Sequence, residues 1–230
     1  MSTPSRILLK LSGEAFKGEE GVFSPEGLKW IAGEITRTTS IEIAIVLGGG
    51  NIIRGGRIGW LERVEADTLG MLATVLNAIA LRGYLEREGR EVLIQSAIDT
   101  EFTGPISPRE ARSALADGKI VLFAGGTGSP FVTTDTAAAL RGVAIGADLL
   151  AKGSDIAGVY TADPDEDPTA ELLSEITYDD YLKHRYQAMD QVAVEICREN
   201  SLPIEVFDFH KPGALERIAC GKRVGTRITA

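Results

Sequence analysis

Short apolar runs alternate with longer stretches of helical periodicity along nearly the whole chain. The runs Arg6–Leu11, Ile41–Leu47, Glu91–Ser96, Lys119–Ala124, Asp148–Lys152, Ile204–Phe209 and Thr226–Thr229 have strand length. Most are apolar throughout rather than alternating, the pattern of strands covered on both faces in a parallel sheet. Between them the helix ends are legible. Ser24 followed by Pro25 is an N-cap with a first-turn proline, and Leu28, Ile31 and Ile35 form a stripe behind it. Leu69, Leu72, Leu76 and Ile79 are expected to form the core stripe of the next, longer helix, which Asp67 opens. Ser107 to Glu110 reads as a capping box whose helix stops at Gly118. A further helix is expected over 177–200 and a shorter one over 212–220. This alternation predicts an α/β fold: a three-layer αβα sandwich with a central, mostly parallel sheet, as one domain over residues 1–230.

Composition narrows the class without naming a chemistry. The chain has 230 residues, 44% hydrophobic and 25% charged, the balance of a globular domain. No apolar run is expected to cross a bilayer, the first residues do not read as a signal peptide, and a cytoplasmic location is expected. The net charge of −9 argues against a nucleic-acid surface but leaves room for a local pocket that holds one nucleotide. Cys197 and Cys220 are expected to be buried, inert thiols. His184 and His210 are too few for a histidine metal site.

Ligands of such sheets bind at the carboxyl ends of the strands, and the unusual residues cluster there. The first strand ends in Lys10-Leu11-Ser12-Gly13-Glu14. The second runs into Gly48-Gly49-Gly50-Asn51 and then Arg54-Gly55-Gly56. Gly125-Gly126-Thr127-Gly128-Ser129-Pro130 follows the fourth and leads to Thr133-Thr134-Asp135 at a helix start, and Lys152-Gly153-Ser154 follows the fifth. Glycine allows close approach of backbone to an anion, and exposed N–H groups at helix starts bind phosphate. There is no GxxxxGK[ST] P-loop, and neither glycine cluster fits the dinucleotide fingerprint. Lys10 interrupts one apolar strand and Lys152 ends another. One such lysine can simply snorkel to solvent, but two at one sheet edge beside phosphate-type loops suit the charge of a transferring phosphoryl group. Asp135 can be an N-cap or the carboxylate that holds both lysines. Arg54 suits bidentate phosphate binding. Tyr160 is either core packing or a nucleotide contact, and Asp67 either a helix-dipole partner or a ribose-hydroxyl acceptor.

Together these residues resemble the bacterial UMP kinase branch of the amino-acid-kinase family. The resemblance runs in order through Lys10 to Glu14, Gly48 to Asn51, Arg54-Gly55, Asp67, Gly70 to Val75, Asn77, Gly126 to Asp135, Leu140-Arg141, Gly158 to Pro164, Asp167 to Ala170, Met189-Asp190 and Lys211 to Leu215. It implies ATP contacts at Lys10, Leu11, Ser12, Gly13, Gly50, Arg54, Ser154, Tyr160 and Asp163. It implies UMP contacts at Gly49, Asp67, Thr127, Gly128, Ser129, Pro130, Phe131, Val132, Thr133 and Thr134. Lys10, Arg54, Asp135 and Lys152 are then the catalytic set. The amino-terminal part would bind mainly UMP and the carboxyl-terminal part mainly ATP. The resemblance also implies Mg²⁺ with the ATP, a homohexamer, GTP activation and UTP inhibition, with no nucleic-acid or membrane partner. Ser129 replaces a common Asn, Ser154 a Thr or Asn, and Ala157 an Asp. The segment Gly18 to Phe23 lies where some relatives sense GTP. Three other readings stay open: a carboxylate or carbamate kinase of the same family, a nucleotide-binding protein without turnover, and a dinucleotide oxidoreductase.

Overall fold

A computed structural model describes residues 3–18, 21–38, 40–53, 59–164 and 166–230. Nine strands among these form one sheet: β1 (Arg6–Leu11), β2 (Glu42–Leu47), β3 (Val92–Ser96), β4 (Gly104–Pro105), β5 (Ile120–Ala124), β6 (Leu149–Ser154), β7 (Glu175–Thr177), β8 (Ile204–Asp208) and β9 (Thr226–Thr229). Their spatial order is β4-β3-β5-β2-β1-β6-β8-β9-β7. All neighbours are parallel except β8 and β9, which are antiparallel.

Helices cover both faces, so the expected three layers are present. On one face lie α1 (Pro25–Arg37), α2 (Arg63–Arg87) and α7 (Ala214–Ala219), packed on Ile7, Leu9, Leu11 and Ile45. On the other lie α3 (Pro108–Ala116), α4 (Thr134–Ile145), α5 (Tyr178–His184) and α6 (Gln191–Glu199), packed on Leu8, Val46, Leu150 and Val206. Successive strand residues face opposite ways, so Leu8 and Lys10 share the α4 face. The helix caps follow the sequence: Ser24, Ser107 and Thr133 accept from Gly27, Glu110 and Thr136 N–H groups.

Several expectations are corrected. Three residues of the expected α2 stripe face outward: Leu69, Leu72 and Leu76 are exposed, whereas Ile79 packs half-buried against the core and Ala66, Ala73, Ala78, Leu81 and Leu85 are buried. Small residues let this helix lie close to the sheet, and periodicity alone does not say which of two apolar stripes is inside. Asp67 is the fifth residue of α2 rather than its opening. That helix is also long and apolar enough to cross a membrane by length and composition, contrary to expectation; here it is packed on the sheet as a core helix. The helix expected over 177–200 is two, separated where Arg185 takes a left-handed φ of 54°. Strands β4 and β7 are too short to carry a pattern. Cys197 is buried, and burial pushes its thiol up to about 12, but Cys220 is exposed.

The antiparallel end of the sheet is fixed by a buried ion pair. Glu205 on β8 stands opposite Arg227 on β9, with Nε–Oε2 at 2.5 Å. Its other oxygen accepts from the N–H groups of Val224 and Gly225 at 2.8 and 3.2 Å. Removing one partner of such a pair leaves a buried charge, which costs about 3–5 kcal/mol. Arg227→Leu is therefore expected to destabilise the chain by about 3 kcal/mol. In urea unfolding, Arg227→Leu with Glu205→Leu should cost less than the sum of the single changes.

Candidate active site

The strand order reverses at β1, whose neighbours β2 and β6 come from the two halves of the chain. At such a reversal the loops leaving adjacent strands diverge and open a crevice at the carboxyl edge. Lys10 and Lys152 pair directly in the β1–β6 register, so their side chains lie side by side on the α4 face. The first turn of α4 brings Asp135 between them. Its Oδ1 lies 2.9 Å from Lys10 Nζ and its Oδ2 2.5 Å from Lys152 Nζ. All three side chains are nearly buried. Asp135 thus acts as the carboxylate bridging both lysines, not only as a first-turn acid.

The electrostatics follow from this packing. Burial alone would raise the Asp135 carboxyl, but Lys10 and Lys152 outweigh it and hold the group well below the usual carboxylate range. Burial pushes Lys152 below the usual lysine value; Asp135 opposes that shift and Lys10 adds to it. Two cations share one anion, and the Asp190 carboxylate nearby also favours the charged form of Lys152, so the charges of the cluster nearly balance.

Asp190, the N-cap of α6, steadies the group from behind. Its N–H donates to Asp135 Oδ2 at 3.2 Å, and its own Oδ2 accepts from Thr133 and Thr136 hydroxyls at 2.7 and 3.0 Å. Asp190 lies in the Met189-Asp190 motif, which by itself implies no role for it. The signal available was an Asp at a helix start, which a cap explains equally well.

Glycine-rich turns complete the crevice. A Cβ on Gly13 would come within 2.2 Å of the Gly50 nitrogen, so the loops after β1 and β2 meet backbone to backbone. Gly125 and Gly126 have φ of 73° and 57°, which glycine accepts without strain. They turn the chain from β5 toward α4.

The residues expected to bind the acceptor line one small cavity of about 130 Å³. Gly49, Asp67, Thr127, Ser129, Val132 and Thr134 surround it, together with Ile53, Gly70, Met71, Thr74 and Gly126. The last five are not implied as contacts by the family resemblance, although Gly70, Met71, Thr74 and Gly126 lie within its motifs. Asp67 Oδ2 accepts from Arg63 Nε and from the Phe131 N–H, both at 2.8 Å, and so ties the loop after β5 to α2. Phe131 itself is exposed, with φ of 66° and its ring beneath the Arg63 guanidinium. The Thr133 hydroxyl is engaged by Asp190. Gly128 and Pro130 belong to the same turn.

The expected ATP residues divide in two. Lys10, Ser12, Gly13 and Gly50 gather at the ends of β1 and β2, where Ser12 caps the 3-10 turn Gly13–Phe16. Leu11 turns its side chain into the core, which leaves only its backbone facing the crevice. Ser154 ends β6, and Tyr160 and Asp163 lie on the turn-rich excursion beyond it. There Tyr160 bridges to Leu172, and Thr226 Oγ1 accepts from the Val159 N–H at 2.7 Å. Arg54 lies outside the described residues. A wider cleft of about 460 Å³ opens at the opposite end of β6. Its Asp148 is already engaged by Ser5 and Arg6, and the lysines are not there.

Residues 5–208 match the Amino acid kinase family. The chain is 45% identical to the uridylate kinase of Stutzerimonas stutzeri (strain A1501), over 97% of this chain and 93% of that protein. The crystal structure of UMP kinase from Bacillus anthracis superposes with a TM-score of 0.95 at 37% identity, covering 99% of this chain and 97% of that one. UMP kinase from Ureaplasma parvum gives 0.92 at 30% identity, over 98% and 99%. Fold, crevice and bridged lysines therefore converge, and the chain belongs to the amino acid kinase family.

Proposed function

We propose that the chain is a UMP kinase, transferring the γ-phosphoryl group of ATP to UMP to give UDP and ADP in pyrimidine nucleotide synthesis. The observation that carries the chemistry is the Lys10–Asp135–Lys152 cluster at the sheet's reversal point. Its likeness to uridylate kinases supports UMP as the acceptor. The cavity beside Asp67 and Thr127 supports the same acceptor over a carboxylate or carbamate, which would need no base or ribose site.

The reaction needs positioning more than proton transfer. The second pKa of a phosphate monoester is about 6, so UMP is mostly a dianion at neutral pH. One of its oxygens attacks the γ-phosphorus, the bond to the β-bridging oxygen breaks, and ADP leaves with that electron pair. Lys10 and Lys152 neutralise charge on the transferring group and the departing diphosphate. Asp135 fixes their spacing, so little reorganisation is required as charge develops. Arg54 is assigned a phosphate contact by the family resemblance. Among the described residues no cluster of His, Cys, Asp and Glu would hold a metal, and Asp135 is committed to its lysines. Mg²⁺ is accordingly assigned to the ATP phosphates, as part of the substrate complex.

The ATP site is assigned to Lys10, Leu11, Ser12, Gly13, Gly50, Arg54, Ser154, Tyr160 and Asp163. The UMP site is assigned to Gly49, Asp67 and Thr127 to Thr134. On this reading the amino-terminal part serves mainly UMP and the carboxyl-terminal part mainly ATP. The enzyme works in the cytosol as a homohexamer responsive to GTP and UTP. Support for self-association comes from the exposed stripe of Val64, Leu72 and Leu76 on α2, since contiguous apolar surface on a globular chain marks an interaction site.

A coupled ADP-release assay over UMP, CMP, dUMP and AMP, with and without GTP, tests the reading directly. UMP should be turned over fastest, and turnover of acetylglutamate, aspartate or carbamate with none of UMP would overturn it. Lys10→Ala and Lys152→Ala should each lower kcat by about 100-fold or more while changing KM for UMP far less. For pH, lysine is protonated below its pKa and loses its charge as pH rises through it. Because burial lowers Lys152, the basic limb of kcat should begin below the pH at which a free lysine discharges, about 10.4. The residual activity of Lys152→Arg, charged at every working pH, should lack that limb. Leu72→Glu with Leu76→Glu should shift the chain to a smaller species in sedimentation velocity. An unchanged sedimentation coefficient would remove α2 from the interface.

A further inference from the structure

Behind the glycine turn after β2 lies a polar contact that the proposed chemistry does not use. Asn77, on α2, is completely buried, and Asn51, at the end of the turn, is 6% exposed. Asn77 Nδ2 donates to the Gly48 carbonyl at 2.7 Å and to Asn51 Oδ1 at 2.8 Å. In return Asn51 Nδ2 donates to Asn77 Oδ1 at 3.0 Å and to the Val22 carbonyl at 2.7 Å. The two amides therefore form a closed, reciprocal pair, and each spends its second N–H on a backbone carbonyl.

This arrangement admits little substitution. Turning either amide over would set its oxygen against a backbone carbonyl oxygen. An ionised aspartate has no donor, and at position 77 it would face the Gly48 oxygen with negative charge. An aliphatic side chain would leave two carbonyls without a buried partner, at about 1–3 kcal/mol each. Asparagine is the side chain of this length that carries both an acceptor and two donors.

The pair also sits where small displacements matter. The Gly48 N–H donates to the Leu11 carbonyl at 2.8 Å, so the turn is tied on one side to the end of β1, one residue after Lys10. Asn77 ties it on the other side to α2. A Cβ on Gly13 would lie 2.9 Å from Asn51 Oδ1 and 2.2 Å from the Gly50 nitrogen. One on Gly49 would lie 2.6 Å from the Gly70 carbonyl. The turn is held in a slot with no slack between the lysine strand and the acceptor cavity.

We propose that Asn51 and Asn77 are positioning residues for the phosphoryl transfer, setting the Gly48–Gly50 turn at its working distance from Lys10 and from the acceptor cavity. The proposal rests on the kinase reading for its rate effect, but its structural content stands alone. A displacement of about 1 Å at such a turn can lower the rate about 100-fold.

The test compares Asn51→Ala, Asn77→Ala and the double variant in the full chain. Each is confirmed folded by circular dichroism and thermal melting before assay with MgATP and UMP. Expected is a fall in kcat of about 100-fold in either single variant. KM for ATP should change by less than about threefold, and the double variant should be no slower than the worse single, because the two amides act as one unit. A kcat within about threefold of the unmutated chain, or single losses that multiply in the double, would overturn the proposal. Hydrogen exchange over residues 47–53, read without substrates, separates this idea from the kinase reading. Exchange there should be faster in Asn77→Ala than in the unmutated chain, and unchanged exchange sinks the positioning role whatever the acceptor is. Failure of the unmutated chain to phosphorylate any nucleotide, with exchange altered as expected, would instead sink the kinase reading and leave the amide pair as the clamp of that turn.

Discussion

A buried carboxylate shared by two lysines is the interaction on which the crevice depends. Isolated charges are costly to bury, and a pair removed from water recovers that cost only with good geometry and further hydrogen bonds. Here the geometry comes from three separate elements. β1 supplies Lys10, β6 supplies Lys152 in register beside it, and α4 supplies Asp135. Each element is anchored by a core that exists for other reasons. The cluster is stable because the sandwich is rigid, and the sandwich tolerates the cluster because its charges nearly balance.

The backbone around that cluster is arranged by exclusion. Where Gly13 meets Gly50, there is no space for a methyl group. Where Gly125 and Gly126 turn out of β5, the φ values belong to glycine. Side chains then fasten the turns so that permissive residues do not become loose ones. Thr74 Oγ1 accepts from the Gly125 N–H at 2.7 Å, Asn77 holds Gly48, and Asp67 holds Phe131. The small cavity beside Asp67 and Thr127 is therefore walled by α2 as much as by the loops that carry the obvious motifs.

Much of the fold is legible in the sequence. Strands covered on both faces announce themselves as apolar runs, so β1, β2, β5 and β8 were placed within a residue or so. Lys10 and Lys152 stood out because a cation in such a run has few explanations. What could not be read was orientation and partnership. The α2 helix carries apolar residues on two stripes, and only packing against the sheet decides that Ala73, Ala78 and Leu81 face inward and Leu72 outward. The break at Arg185 depends on one left-handed residue without a glycine to mark it. The partnership of Asn51 with Asn77 joins positions 26 apart in the chain, and an asparagine in a helix gives no hint of what it holds.

The register of β1 with β6 has a consequence in time. Residues near position 10 must wait on the ribosome until those near position 152 have emerged. At synthesis rates of about 5–20 residues per second that delay is on the order of ten seconds. During it β1 can pair with β2, its partner on the other side, but Lys10 has no carboxylate opposite it and one edge of the strand lies open. The nascent chain thus passes through a stage with an unfilled central slot, the kind of exposed strand edge that invites pairing with another chain. Insertion of β6 fills that slot and completes the charge cluster, and its own far edge is covered only later by β8, so the crevice forms before the sheet is finished.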